Sequence, residues 1–234
     1  MPGALAEVAS RLGSVSVNGL DGMTHAEGEE ATWSFFAESE PGGVSARELT
    51  RVLSLSDSVL EATVKGDEDG FLADTSTFPI AWNTGERAVL MRAKNMASMF
   101  DRIREVFGSG GDVVLYEAGL AFGRAAWSSL VDNIGRGYVV EHIPEVLQLY
   151  NAAGWARVTV PELDLERRKA VVRTYDNFEC AGHRSDTPWS QFVRGNLSGA
   201  LCVLMQCEKG DCRETRCSAV HGDACEFAWT GGQD

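Results

Sequence analysis

The sequence predicts an α+β protein with a small N-terminal domain and a larger C-terminal one. Two observations carry this prediction. Short strand-like runs give way near residue 86 to long helical ones, so the two parts follow different hydrophobic periods. The charge is also uneven, because residues 1–80 hold 14 acids and 4 bases (−10), which leaves 20 and 17 (−3) of the 34 and 21 in the whole chain. We therefore place the domains at residues 1–82 and 86–230.

Composition excludes several classes of protein. The hydrophobic fraction of 44% and charged fraction of 24% are ordinary for a soluble globular protein. No apolar run approaches the roughly 18–20 residues of a membrane span. The N-terminus lacks a basic region followed by an apolar core, so we expect a cytoplasmic protein. A net charge of −13, with no local block of Lys or Arg, argues against direct nucleic-acid binding.

The N-terminal domain has a predicted β–β–α–β–β order. Strand-like runs lie at residues 13–20, 31–37, 59–65 and 71–82. Ser45 is followed three residues later by Glu48, which is the spacing of a capping box at the start of a helix. This element order is similar to that of the ACT-like regulatory domains.

The C-terminal domain mixes long helices with later strands. Apolar residues recur at helical spacing in residues 94–107, and a second, small-residue-rich helix is predicted over 112–134. Further elements are predicted as helices at 145–153 and 195–205, strands at 157–163 and 169–175, and a last strand ending at Trp229.

All six cysteines lie between Cys180 and Cys225. In a cytoplasmic chain such clustering favours metal or redox chemistry over a disulfide framework. Glu214, Cys217 and Cys225 are candidate zinc ligands, and Cys212, Cys207 or His221 would complete a tetrahedral set. An iron–sulfur cluster on Cys207, Cys212, Cys217 and Cys225 is a rival interpretation, and buried, inert thiols are another.

Four segments together resemble the 4-vinyl reductase domain family. They are YEAGLAFGRAAW at 116–127, NFEC at 177–180, PWSQFVRGNLSG at 188–199 and E-x-x-C-x-x-x-x-G-D-x-C-x-F at 214–227. The resemblance covers residues 86–230 and implies the α+β fold that this family shares with sensory domains of phenol- and toluene-responsive activators and with subunits of a Golgi-transport tethering complex.

The resemblance implies a zinc site carried by Glu214, Cys217 and Cys225. The first zinc cysteine of the family falls where this chain has Ser190. Serine is a poor zinc ligand at neutral pH, so either Cys212 or another extra thiol substitutes, or the metal is weakly bound or absent. We assign Cys212 as the fourth ligand.

The resemblance also implies an apolar pocket for a small aromatic effector beside the zinc. Five aromatic residues are expected to line it, with Tyr150 as the polar contact: Trp127, Tyr150, Trp155, Phe178 and Trp189. The aromatic residue expected before NFEC is Thr174 here. Glycines at 119, 123, 195 and 199 leave room for a ligand or for a close backbone. The alternative is that these rings are ordinary core.

A homodimer is expected through helices 94–107 and 112–131. Family members are typically dimers, and Gly119, Gly123, Ala125 and Ala126 would permit close helix packing.

The sequence predicts a binding protein rather than an enzyme. It has no GxSxG, no P-loop and no GxGxxG after a strand. We therefore expect a ligand-binding regulatory protein, and the resemblance implies a small-molecule sensor of the kind used in transcription regulation. It would signal through a separate regulator protein, because no helix-turn-helix with a basic recognition helix is present. The alternatives are a tetrapyrrole-binding or vinyl-reduction accessory protein of (bacterio)chlorophyll-type biosynthesis, and a structural assembly module.

Overall fold

The chain divides into two compact units, residues 1–88 and 89–234. The computed structural model describes residues 3–66, 80 and 86–232. Both helices and strands occur, as the α+β prediction requires. None of the helices in these described ranges has the length and apolar character needed to cross a lipid bilayer.

The first unit contains a helix, an antiparallel hairpin and a second helix. Its elements are α1 (Ala4–Ser14), β1 (Val17–Glu27), β2 (Glu30–Ser39) and α2 (Ala46–Leu53). The side chain of Ser45 accepts a hydrogen bond from the Glu48 amide at 3.2 Å, so the predicted cap of α2 is present. A small core forms where both helices meet the start of β1, from Leu12, Val17, Leu49 and Leu53.

Two predictions for this unit are wrong. Helix α1 was not expected, and the strand placed at residues 13–20 begins only at Val17. Residues 59–65 form no strand; Ala62 and Val64 pack on the small core, but the backbone has no strand partner among the described residues. The strand predicted at 71–82 lies outside the described residues, apart from Ile80.

The second unit begins with a helical hairpin. Helix α3 (Ala93–Phe107) leads into α4 (Ser109–Ile134) through Gly108 alone. Gly108 has φ 55° and ψ −135°, a conformation that a side chain would strain. Three short helices follow: α5 (Arg136–Glu141), α6 (Ile143–Val146) and α7 (Leu149–Ala152). The single helix predicted at 145–153 is therefore two short ones.

A four-stranded antiparallel sheet forms the other half of this unit. Its order is β3–β4–β6–β5, from strands β3 (Arg157–Asp164), β4 (Lys169–Tyr175), β5 (Gly210–Arg216) and β6 (Cys225–Gly231). Helix α8 (Gln191–Leu204) packs against β5 and β6, and the short α9 (Ser218–His221) connects these two strands. The buried face of β4 and β6 carries Val172, Thr174, Cys225 and Phe227.

Helices α4 and α8 approach each other through glycines from both sides. An added Cβ would overlap a carbonyl oxygen at each position: that of Phe192 for Gly119, of Asn196 for Gly123, of Tyr116 for Gly195 and of Leu120 for Gly199. The four glycines therefore make room for a neighbouring backbone. This was one of the two roles predicted from the sequence, the other being to make room for a ligand. Gly119 and Gly123 face α8 of the same chain, so they no longer support a dimer contact.

Candidate metal centre and aromatic cluster

Four side chains converge at one end of the sheet. Cys180, Glu214, Cys217 and Cys225 each place one ligand atom within 4.8 Å of the others. They come from the turn after β4, from β5, from the residue before α9 and from the first position of β6. The three cysteines are buried, and Glu214 is half-buried. Cys180 is thus brought to the three ligand candidates of the consecutive β5–α9–β6 segment, which lie more than 30 residues further along the chain.

The sulfur spacing matches that of a zinc–thiolate site. The Cys180 Sγ atom lies 3.7 Å from the sulfurs of both Cys217 and Cys225. Sulfurs bound tetrahedrally at a Zn–S distance of about 2.3 Å would be about 3.8 Å apart. The thiols are free, since a disulfide needs an S–S distance of only about 2.05 Å.

Glu214 presents an unsatisfied oxygen to this cluster. Its Oε2 accepts a hydrogen bond from the Ser190 amide at 3.1 Å, whereas its Oε1 is buried without a hydrogen-bond partner. Burial, reinforced by the negative charge of Cys225, raises the pKa of Glu214 to about 8. An unpaired buried carboxylate oxygen is costly. A bound cation would remove that cost.

The pKa values of the three thiols are shifted in different directions. Hydrogen bonds donated by Cys180 and Cys217 hold the pKa of Cys225 far below its usual range. The same hydrogen bonding to the other two sulfurs raises the pKa of Cys180. Further ionisation would place like charges within 4 Å. A divalent cation would permit it, so this Cys₃Glu donor set fits zinc by both its geometry and its charge.

The predicted fourth ligand, Cys212, lies outside the four-atom group, and Cys180 takes its place. Cys212 precedes Glu214 by two positions on β5, which is about 6.8 Å along a strand, and pairs with Trp229 rather than Phe227. Burial raises the pKa of Cys212 to about 12. The other candidates, Cys207 and His221, are not in the group either.

Ser190 lies among these sulfurs as a hydrogen-bonding group. Its Oγ atom is 3.0 Å from Cys180 Sγ and 3.4 Å from Cys225 Sγ, and it accepts a bond from the Asn177 side-chain amide at 2.9 Å. The hydroxyl thus borders the thiols where the resemblance led us to expect a cysteine. Cys180 belongs to the NFEC motif and could have been considered as a ligand from the sequence. It was not predicted because it is far along the chain from Glu214, Cys217 and Cys225.

Four of the five predicted ligand-binding aromatics form one cluster. Tyr150 lies between Trp127 and Trp155, at centroid distances of 6.2 and 5.8 Å, and Trp155 contacts Phe178 at 5.7 Å. Phe100, Phe122 and Phe192, which the sequence analysis did not name, join the same cluster. These rings lie against one another in this structure. Two surface cavities, of about 760 and 340 Å³, are lined by other residues.

Two buried hydroxyl groups in the core of this unit differ in their hydrogen bonding. The Tyr150 hydroxyl donates a hydrogen bond to Asn196 Oδ1, and burial raises the pKa of Tyr150. Thr174, which pairs with Cys225 across β4 and β6, is buried, and its hydroxyl has no hydrogen-bond partner. The Thr174 hydroxyl is therefore an unpaired hydrogen-bonding group within the core of this unit.

Trp189 makes different contacts. Its ring stacks on His183 at 5.0 Å, and the Arg104 guanidinium lies 4.2 Å from its centroid. Its backbone amide donates to Cys217 Sγ at 3.3 Å. Trp189 thus borders the metal candidate rather than the ring cluster.

Comparison with known proteins identifies similar folds. No family model matches the sequence, and no curated protein does. The phenol-responsive sensory domain of the transcription activator PoxR, solved with phenol, is 17% identical with a TM-score of 0.51; the match covers 63% of this chain and 78% of that one.

Two further solved structures are similar at lower scores. A vinyl-4-reductase family protein from Methanocaldococcus jannaschii is 15% identical with a TM-score of 0.43, covering 62% of this chain and 85% of that one. Subunit 3 of a trafficking protein particle complex from Naegleria fowleri, covalently bound to palmitic acid, is 11% identical with a TM-score of 0.45, covering 60% and 95%. Structural neighbours thus include a vinyl-4-reductase family protein and a phenol-responsive sensory domain, and the chain shares the fold of the latter.

Proposed function

We propose that the second unit is a small-molecule sensory domain that binds an apolar or aromatic ligand beside a structural zinc ion. The observation that carries the proposal is the buried Cys₃Glu group of Cys180, Glu214, Cys217 and Cys225, within a fold like that of a phenol-responsive sensory domain. Zinc would offset part of the negative charge of the ligands and would connect the turn after β4 to the β5–β6 hairpin. With all four positions filled by protein atoms, the site is of the closed, structural kind.

The ligand would enter the aromatic cluster. Trp127, Tyr150 and Phe178 are buried, whereas Trp155 is half-buried and Phe122, which contacts it at 5.4 Å, is 49% exposed. A ligand would therefore enter past Phe122 and Trp155 and replace their ring contacts with its own.

The polar group of the ligand would form a hydrogen bond with the Tyr150 hydroxyl or with the unpaired hydroxyl of Thr174. Trp189 would contact the ligand from the side that borders the candidate metal ligand Cys217.

A screen of ligands tests this proposal. Zinc-loaded protein would be melted with phenols, indoles and tetrapyrroles, because a ligand that binds only the folded state raises the melting temperature by mass action. We expect an aromatic compound to raise it, and Trp155→Ala to reduce that shift more than Trp33→Ala, a matched change in the first unit. If no compound shifts the melt, the rings are core. Turnover of a divinyl tetrapyrrole with a reductant would instead favour the vinyl-reduction alternative.

Signalling would require a partner. We propose a homodimer through α3 and α4, whose exposed apolar side chains include Val106, Phe107, Val113 and Val114, together with a separately encoded regulator protein. Light scattering at micromolar concentration should give about twice the 25.3 kDa chain mass, and Phe107→Glu should reduce it to the monomer value. A monomer in the wild type contradicts the dimer.

We also propose a cytoplasmic location for the protein and an ACT-like fold for its first unit. The six free cysteines favour a reducing, cytoplasmic location. Among the described residues of the first unit, the β1–β2 hairpin is followed by helix α2, and this order supports an ACT-like domain.

A further inference from the structure

Arg104 connects helix α3 to the segments that carry the metal ligands. Its side chain is only 11% exposed. Nη2 donates to Glu179 Oε1 at 2.8 Å and to the Trp189 carbonyl at 2.7 Å, while Nε donates to Asp112 Oδ1 at 2.9 Å. The guanidinium also lies over the Trp189 ring. One side chain thus binds three acceptors from three different segments.

The Trp189 contact leads directly to two metal ligands. The Trp189 carbonyl and the Ser190 amide belong to one planar peptide group, so fixing the first orients the second. The Ser190 amide donates to Glu214 Oε2 at 3.1 Å, and the Trp189 amide donates to Cys217 Sγ at 3.3 Å. Arg104 therefore holds the peptide whose neighbouring N–H groups orient Glu214 and Cys217.

The Glu179 contact leads to a third ligand. Glu179 is 1% exposed and immediately precedes Cys180. Its two carboxylate oxygens accept hydrogen bonds from the Phe192 and Val193 amides, at 3.2 and 3.0 Å. Arg104 and the first turn of α8 thus fix this carboxylate from two sides, and the adjacent Cys180 is held with it.

We infer that Arg104 is a positioning residue for the metal site: it touches no ligand atom, yet it fixes the backbone that orients Cys180, Glu214 and Cys217. Groups that orient metal ligands typically change metal affinity by about 10–100-fold when removed. The inference rests on the proposed metal site. A purely structural role would lower the stability of the metal-free and metal-bound protein equally and leave the zinc affinity unchanged.

The test compares Arg104→Met with Arg102→Met on the same helix. Arg102 is 73% exposed and forms an ion pair with Glu105 on the helix surface. Zinc affinity is measured by competition with a chelator of known affinity, and Co²⁺ spectra report thiolate ligation and site geometry. We expect Arg104→Met to weaken the zinc Kd roughly 10–100-fold and to shift the Co²⁺ ligand-field bands, with little effect of Arg102→Met. An unchanged Kd and spectrum in Arg104→Met would overturn the inference.

Two milder variants guard against a failure to fold. Arg104→Lys keeps the charge but not the planar fork that reaches several acceptors, so we expect it to recover only part of the affinity. Full recovery would mean that charge alone suffices and would refute positioning by geometry. Glu179→Gln should weaken zinc binding in the same direction as Arg104→Met. If the wild type binds no metal, the proposed function fails instead, so the two failures are distinguishable.

Discussion

Exchanging the residues at positions 180 and 190 would test the assignment of Cys180 most directly. We expect Cys180→Ser to lose zinc affinity, because it removes one of three thiolates from the group. Restoring a thiol nearby with Ser190→Cys in the same chain should recover it. Ser190 Oγ lies 3.0 Å from Cys180 Sγ and 3.4 Å from Cys225 Sγ, so a sulfur at position 190 would lie beside the remaining ligands.

The size of the loss follows from the number of donors. Structural zinc sites bind with roughly 10–16 kcal/mol, which is about 2.5–4 kcal/mol for each of four donors. Losing one donor should therefore raise the Kd by about two to three orders of magnitude. Chelator competition measures this Kd, and the sulfur-to-cobalt charge-transfer absorption of the Co²⁺ protein counts thiolates. The double variant should return the Kd and the absorption close to their wild-type values.

The controls separate this assignment from its competitors. Cys212→Ser tests the ligand that the sequence favoured, and Cys202→Ser tests a buried thiol of α8 outside the group. Both should keep three-thiolate absorption. Loss of metal in Cys212→Ser together with retention in Cys180→Ser would refute the reasoning.

Three further outcomes are expected. Chelating the zinc should lower the melting temperature, and Cys225→Ser should do the same without a chelator, because metal binding contributes to folding free energy; a melt that is insensitive to chelation contradicts this. Gly123→Ala should lower the free energy of unfolding of the second unit by about 2–4 kcal/mol in denaturant titration, since the new Cβ would overlap the Asn196 carbonyl. The control Gly137→Ala, whose Cβ would meet nothing within 4 Å, should leave that free energy unchanged or raise it. Tyr150→Phe should weaken a hydroxyl-bearing ligand by about 1 kcal/mol in calorimetry, and an equal loss for a ligand without a hydrogen-bonding group would argue against an oriented contact.

Local patterns predicted the elements that depend on near neighbours. The alternation in β4 and the helical spacing in α3 gave ranges that match the structure closely, because one face of each is buried. Helix α1 was missed because Ser10, Gly13 and Ser14 lie within it, and serine and glycine have a low intrinsic preference for helix. The role of Gly119 and Gly123 was ambiguous for a different reason: a stripe of small residues shows that something approaches closely but not which helix does.

The candidate ligands that are close together in the sequence could be predicted, whereas the one that is distant in the sequence could not. Glu214, Cys217 and Cys225 belong to one β5–α9–β6 unit, so their separations along the chain already fix their separations in space. The fourth donor must come from elsewhere, and sequence gives no distance to it. The two segments nearest the site, 177–180 and 188–190, each offer one side chain at 3.0 Å from the other, Cys180 and Ser190. A thiol at either position would therefore lie beside the same group of candidate ligands, provided that both segments are held in place. The contacts of Arg104 with Glu179 and Trp189, one residue before each of these positions, supply that constraint.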